Sequence, residues 1–202
     1  MCRWRSVLNY LAGPVYGDGS LYYYRRNNEY FIHVYDQDQE FLQRVGVEVS
    51  KALKVRYTII KPSKNANYYR LQFTSKKIYS YVAKLVKEKP QRLTKNFIRG
   101  IIDAEGTVYA DKKGRVAFEL GIANQRLAIK ISNWLEKRGI RATCTLHKDR
   151  RPHRRTIAKV RVRGWENVDK MFKLVKPMHP KLVVKFENLK MKHSRARPAT
   201  PP

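Results

Sequence analysis

The chain has 202 residues, room for one domain or for two of about 100 residues each. With 44 Lys and Arg against 16 Asp and Glu, it carries a formal charge of +28 and a pI of about 10.3, which makes polyanions its expected partners. The cations run along the whole chain and no segment approaches the roughly 20 apolar residues of a membrane span, so nucleic acid outranks a lipid surface and an intracellular protein is expected; two cysteines, Cys2 and Cys144, exclude a disulfide framework and a zinc module.

The first predicted element is a helix over about residues 5–18, ending in Leu11-Ala12-Gly13-Pro14-Val15-Tyr16-Gly17-Asp18-Gly19. Two strands follow, at about 20–26 and 30–36, turning at Asn27-Asn28, a pair that tolerates the positive φ of a tight hairpin. An amphipathic helix then sets Phe41, Leu42, Val45, Val49 and Leu53 at helical spacing, a core stripe. Strands at about 55–61 and 67–74 come next. A helix with Ile78, Tyr81, Val82 and Leu85 on one face closes the first half.

The series then repeats. A helix over about 94–105 ends in Ile98-Arg99-Gly100-Ile101-Ile102-Asp103-Ala104-Glu105-Gly106, matching the first motif at an offset of 87, the distance from Asp18 to Glu105. Strands at about 107–112 and 115–122 turn at Gly114. A helix carrying Leu127, Ile131, Trp134 and Leu135 follows, then strands at about 140–147 and 156–163, then a helix with Val168, Met171, Phe172 and Val175. Lys84-Leu85-Val86-Lys87 recurs as Lys173-Leu174-Val175-Lys176, now 89 apart, as a longer loop would produce. One additional helix, at about 180–192, ends the second copy. The order α-β-β-α-β-β-α, twice, predicts an α+β chain of pseudo-symmetric halves, roughly 1–90 and 91–193 with Pro90 at the linker, and a basic, Pro-containing tail over about 194–202.

Residues two apart on a strand share a face. Tyr69, Leu71 and Phe73 point one way and Arg70, Gln72 and Thr74 the other; Ala142, Cys144 and Leu146 oppose Arg141, Thr143, Thr145 and His147; Val160 and Val162 oppose Lys159, Arg161 and Arg163. Each sheet thus gains one apolar face and one polar, cationic face, with Glu119 the main acid among them. A solvated face usually mixes both signs of charge, so these read as DNA-binding surfaces. Arg, Gln, Thr and Lys also suit base edges in a major groove. Arg26, Arg56 and Arg115, at the ends of the predicted strands, extend the two faces. Loop cations Lys61, Lys64, Lys112, Lys113, Lys148, Arg150, Arg151, Arg154 and Arg155 are expected on phosphates. Tyr22, Tyr23 and Tyr24 suit either stacking at the groove or packing, and the scattered histidines read as polar surface or groove residues.

In the repeated motif, Gly13 and Gly17 recur one turn apart, as do Gly100 and Ala104, so two small-residue faces can pack with their backbones close. Gly19 and Gly106 are predicted to end each helix in a left-handed conformation. Crossing the helices brings Asp18 and Glu105 together at C-terminal ends, where the macrodipole disfavours a carboxylate. Two acids there call for a cation, and carboxylates with backbone carbonyls suit Mg²⁺, a DNA phosphate completing its shell. A single copy would read as a helix-ending turn; two copies at one offset favour a metal site.

Leu11 to Gly19 and Ile98 to Gly106 resemble the two motifs of single-chain LAGLIDADG homing endonucleases of the archaeal, intron-encoded type, and the duplicated element order is similar to that family's over nearly the whole chain. The resemblance implies two antiparallel, saddle-shaped sheets about a central two-helix interface. It implies a monomer that cuts double-stranded DNA with a divalent metal, leaving 3′ overhangs, in a prokaryotic cytoplasm or nucleoid. Asp18 and Glu105 would be the catalytic metal ligands, helped by the carbonyls of Gly17 and Ala104. Mg²⁺ is the expected ion, Mn²⁺ a substitute, and Ca²⁺ one that binds without supporting cleavage. Asp103 matches the family's other acid, which serves helix packing or capping. Gln37 and Asn124, at equivalent strand-to-helix junctions, are the candidates for ordering water.

The first motif departs from the family pattern at Pro14, Tyr16 and Gly17, where Leu, Asp and Ala are usual. Pro14 removes a backbone donor and crowds the Tyr10 carbonyl, which predicts a kink. The same fold serves RNA-binding intron maturases, so intron RNA is the alternative partner. A ribosomal protein would fit the charge but gives no reason for paired acidic helix ends.

Overall fold

The predicted order of elements is found from one end to the other. Helix α1 (Arg3–Asp18), strands β1 (Gly19–Tyr24) and β2 (Glu29–Asp36), helix α2 (Gln39–Leu53), strands β3 (Tyr57–Ile60) and β4 (Tyr69–Thr74) and helix α3 (Lys76–Lys87) make the first series. Helix α4 (Lys95–Glu105), strands β5 (Gly106–Ala110) and β6 (Val116–Ile122), helix α5 (Gln125–Glu136), strands β7 (Ala142–His147) and β8 (Ile157–Arg163) and helix α6 (Trp165–Val175) repeat it, and helix α7 (Pro180–Ala196) follows. The structure, a computed structural model, describes residues 3–87, 93–112, 114–147 and 156–196. Pro90, the loop cations Lys113, Lys148, Arg150, Arg151, Arg154 and Arg155, and the end of the tail lie outside the described residues.

The chain divides into two compact units, Met1–Glu105 and Gly106–Pro202, so α4, which opens the second sequence copy, packs within the first unit against α1. In that unit the antiparallel sheet runs β1-β2-β4-β3. Ile32, Val34, Leu71 and Phe73 are buried on its inner face, and the predicted stripe of α2 is buried at Phe41, Leu42, Val45 and Val49, with Ile78 and Val82 of α3 also in the core. Asp38 starts α2 by accepting the Phe41 amide hydrogen at 3.0 Å, and Lys54 ends it in a left-handed conformation with φ of 54°. Asn28 takes the positive φ that the hairpin requires.

The second sheet runs β5-β6-β8-β7, with Val108, Phe118, Leu120, Val160 and Val162 fully buried. Asn124 caps α5 by accepting from the Leu127 amide at 3.1 Å. On α7, Leu182 and Phe186 are buried, and Phe186 stacks on Phe172 and on Trp165. This helix outruns its predicted end because its last turns have partners: the His193 ring stacks on Trp165 at 4.8 Å, and Ser194 donates back toward the Lys190 and Met191 carbonyls.

Two other expectations are corrected. Gly19 and Gly106 do not have positive φ; each is the first residue of a strand, so the helix passes directly into β structure. Gly19 is needed for space, because a Cβ there would meet the Val15 backbone and lie 2.6 Å from the His33 carbonyl oxygen. Several strands are also shorter than predicted, which leaves Arg26, Arg56 and Lys112 in connections beside their sheets.

Candidate active site

The site begins with the packing of α1 on α4. A Cβ on Gly13 would lie 2.6 Å from the Gly100 backbone, and one on Gly100 would strike the Tyr10 carbonyl and lie 2.7 Å from Pro14 Cδ. Pro14 has no amide hydrogen to give that carbonyl. Gly100 leaves room for the freed oxygen, and α1 continues to Asp18. Deeper in the pair, the Tyr10 hydroxyl donates to Asp103 Oδ2 at 2.9 Å, both residues being buried. Burial, and then the Asp103 charge, push the Tyr10 phenol well above its ordinary value. Asp103 therefore ties the two helices together.

Asp18 and Glu105 are the last residues of these helices. A Cβ on Gly17 would lie 2.9 Å from Glu105 Oε1 and 3.0 Å from the Ala104 methyl, so the missing side chain opens space against the Glu105 carboxylate. Partial burial and then the Asp18 charge push the Glu105 carboxyl up to about 7. Asp18 is also raised, by loss of water and then by Asp36. Sequence reasoning missed Asp36, whose Oδ1 accepts from the Asp38 amide at 2.8 Å. Only the register reveals it: with Gly19 opposite Val34, the end of β2 returns alongside the end of α1.

This donor set fits a hard divalent cation. Two carboxylates that resist ionisation adjoin helix ends whose last carbonyls lack intrahelical donors, and Gly17 leaves a gap beside them. Among the described residues no cluster of three or more His, Cys, Asp and Glu is arranged for a metal, so the two acids would need carbonyls, water or phosphate to complete a shell.

The outer sheet faces carry the other expected residues. On the first sheet Arg70, Gln72 and Thr74 lie opposite Tyr35, His33 and Phe31 of β2. The His33 ring meets Gln72 Oε1 at 3.1 Å on one side and Ser20 Oγ at 3.3 Å on the other, and Ser20 meets the Tyr35 hydroxyl at 3.0 Å. Ser20, His33 and Tyr35 were not among the expected contacts, although strand alternation through Tyr22 and Tyr24 would have found them. Lys61 and Lys64 are exposed in the connection between β3 and β4.

On the second sheet Glu119 binds Lys159 Nζ at 2.7 Å and Arg161 Nε at 2.5 Å. Burial works against a charged Glu119, but hydrogen bonds and charge from these two cations prevail and hold its carboxyl below the ordinary value. Lys159 and Arg161 are thus held in place, while Arg163, Thr143 and Arg141 stay exposed. Arg115 pairs with Asp111 at 2.8 Å. A cavity of about 590 Å³ opens beside Arg115, Arg161 and Arg163, with Tyr109, Trp165 and His193 on its wall. Asn124 is a helix cap whose counterpart is Asp38, and Gln37, exposed, stands one residue earlier. Among the described residues no helix is long and apolar enough to cross a membrane.

Comparison with known proteins places these features in context. The family model described as a LAGLIDADG-like domain matches residues 93–176, and that described as a WhiA LAGLIDADG-like domain matches residues 7–80. The chain is 24% identical over 109 residues to an uncharacterized protein of Methanocaldococcus jannaschii, a match spanning 52% of this chain and 40% of that protein. It is 27% identical over 158 residues to the homing endonuclease I-ApeI of Aeropyrum pernix, covering 68% of each. Among solved structures, I-DmoI in complex with DNA and Mn has a TM-score of 0.61 at 24% identity, over 88% of this chain and 98% of that one. Full-length WhiA from Thermatoga maritima has a TM-score of 0.63 at 11% identity, over 98% of this chain and 63% of that one. At these identities the structural matches establish the fold.

Proposed function

Because the chain is a two-motif member of the LAGLIDADG family, we propose that it is a site-specific DNA endonuclease that hydrolyses both strands of a duplex with a divalent metal ion. The observation that carries this reading is the pair Asp18 and Glu105 at the ends of two helices in backbone contact, each with its carboxyl raised above the ordinary value. It is supported by the homing endonucleases among the similar proteins and by the charge of +28. The WhiA matches share the fold, but the paired carboxylates favour cleavage.

Asp18 and Glu105 would hold the metal, with the carbonyls of Gly17 and Ala104; Mg²⁺ is the preferred ion of this reading. Bound there, a divalent ion supplies charge for a scissile phosphate and for the oxygens that attack and leave it. The chain's own residues do the rest. Packing of Gly13 on Gly100 and the bond from Tyr10 to Asp103 fix the distance between the helix ends that carry the acids. Cations of the second sheet, held in place by Glu119, bind phosphates and base edges, as do Arg70 and Gln72 of the first. The product would be a staggered break with 3′ overhangs, and a homing role would follow from a gene lying within an intron.

The test is cleavage of supercoiled plasmid carrying the gene's own insertion site, or a randomised site library, in Mg²⁺, Ca²⁺ or EDTA. Linear product in Mg²⁺ alone is expected, with Asp18→Asn and Glu105→Gln binding DNA but not cutting. Full cutting by either variant, or in EDTA, would remove the pair from the chemistry.

A further inference from the structure

The same place in both sheets holds one arrangement built from different side chains. His33 of β2 stands opposite Gln72 of β4, and Glu119 of β6, its counterpart by strand and register, stands opposite Arg161 of β8. On their other side the two residues pair with Ser20 and Thr107, each two residues past a helix-end acid. In each sheet, then, a largely shielded side chain of the second strand holds the one across from it. Glu119 accepts from Arg161 Nε at 2.5 Å, and the His33 ring, 7% exposed, meets Gln72 Oε1 at 3.1 Å.

The His33 contact determines what Gln72 has left to offer. An amide oxygen only accepts and an amide nitrogen only donates, so Oε1 against the ring requires that His33 Nε2 carry a hydrogen and donate it. Nδ1 is then an acceptor, and the Ser20 and Tyr35 hydroxyls, each 3.3 Å from it and 3.0 Å from each other, can supply a proton. Burial, and then the charge of Arg70, hold the ring below its ordinary value and favour this neutral form. Oxygen and nitrogen are the two arms of one planar group, so an oxygen turned to a buried ring leaves the nitrogen to meet another ligand. Among the described residues Gln72 Nε2 has no partner. Arg161, held through Nε, likewise has only N–H groups to present.

In the major groove cytosine presents an amine, thymine the O4 acceptor, adenine an amine beside the N7 acceptor, and guanine two acceptors, N7 and O6. A glutamine free to turn its amide suits adenine, accepting from the amine while donating to N7. One whose oxygen is held elsewhere meets guanine best and cytosine worst. We propose that His33 is a positioning residue that fixes the Gln72 amide, so that Gln72 selects guanine ahead of adenine and thymine, and rejects cytosine, at one position of a DNA target. This rests on the reading that the sheet faces bind duplex base edges, and it adds which base one side chain selects and what makes it selective.

The experiment selects bound sequences from a randomised duplex library in Ca²⁺ and compares base frequencies, position by position, for the full chain and three variants. Gln72→Ala should relax one position and so mark the base that Gln72 meets. There the wild type should favour guanine and disfavour cytosine about tenfold. His33→Phe keeps a ring but has no N–H to hold the amide, so adenine and cytosine should gain about tenfold at that position alone, whereas a general structural loss would weaken every position alike. Gln72→Glu can only accept, and should turn the preference to cytosine. Thermal melts check the variants. Should His33→Phe melt early, the wild-type order of guanine over adenine decides, since a freely turning amide would reverse it. Adenine or cytosine ahead of guanine in the wild type, no position relaxed by Gln72→Ala, or a folded His33→Phe with the wild-type profile overturns the proposal. A wild type that enriches no sequence sinks the duplex reading and this proposal together, while an enriched site with any of those contrary profiles sinks this proposal alone. Plasmid cleavage in Mg²⁺ is scored apart, so selective binding without cutting sinks only the endonuclease reading.

Discussion

Tyr10 and Asp103 join α1 to α4 through one buried hydrogen bond, 2.9 Å from the phenol oxygen to Oδ2. Both residues are sealed from water, so removing the phenol hydroxyl deletes a bond that solvent cannot replace. Tyr10→Phe is therefore expected to lower stability by about 1–3 kcal/mol. Urea unfolding of the two proteins measures it, and midpoints that coincide would show that the bond contributes nothing.

Gly100→Ala should be worse, for a steric reason. Its Cβ has no free space, since the Tyr10 carbonyl, Pro14 and Gly13 all stand within contact range. The helices must move apart, at a cost of about 1–3 kcal/mol or more. Gly121→Ala is the control, because its Cβ would lie at an ordinary 3.5 Å from Ile157. Thermal melts of both variants should separate them clearly; equal losses would mean that the helix contact is not tight.

Stability should depend on pH through Glu105. Its carboxyl has an ordinary value of 4.5 and is pushed up to about 7 in the fold, so the folded chain binds that proton more tightly than the unfolded chain does. The resulting stability is present in full below the unfolded value and is lost as pH rises through about 7. Glu105→Gln lacks the charge, so in EDTA it should melt above the wild type at about pH 8 and level with it near pH 4.5. Added Ca²⁺ should raise the melting point of the wild type at the higher pH and leave the variant unmoved. Parallel melting curves for the two proteins at every pH would remove the shift.

Face and loop cations should differ in what they control. Arg70→Ala or Arg161→Ala should relax base preference locally, at about 1–3 kcal/mol per contact, while Lys64→Ala should weaken binding to all sequences alike. Glu119→Gln should act like a partial loss of Arg161, since it releases both cations it holds. Cleavage profiles over a library of single-base target variants read this out; one common profile for all four would erase the distinction.

The element order was legible because its signals are local: apolar spacing within each helix, alternation within each strand, and a motif stated twice. The close approach of Gly13 to Gly100 was legible for the same reason, small residues one turn apart in both copies. Asp36 was not, because it approaches Asp18 only through the pairing of β1 with β2. Counting by offset matched Gln37 to Asn124, whereas the capping geometry matches Asp38 to Asn124, since the hairpins differ in length. The end of α7 depended on Trp165, a ring far away in sequence.

The direct passage of each helix into a strand limits how the molecule can be rewritten. Asp18 and Glu105 each stand two residues before the first outward-facing side chain of the following strand, Ser20 and Thr107. Beyond that point the copies drift: Tyr22 and Tyr109 are 87 apart, Tyr35 and Gly121 86, Ile60 and Thr145 85, Arg70 and Lys159 89. The offset between the copies thus changes only beyond the first strand, and not at the helix-to-strand junction. One residue added there would turn all the face side chains of that strand inward. A lineage, or an engineer, can retarget this protein by exchanging face residues and changing loop lengths, but the count from acid to face is closed to editing.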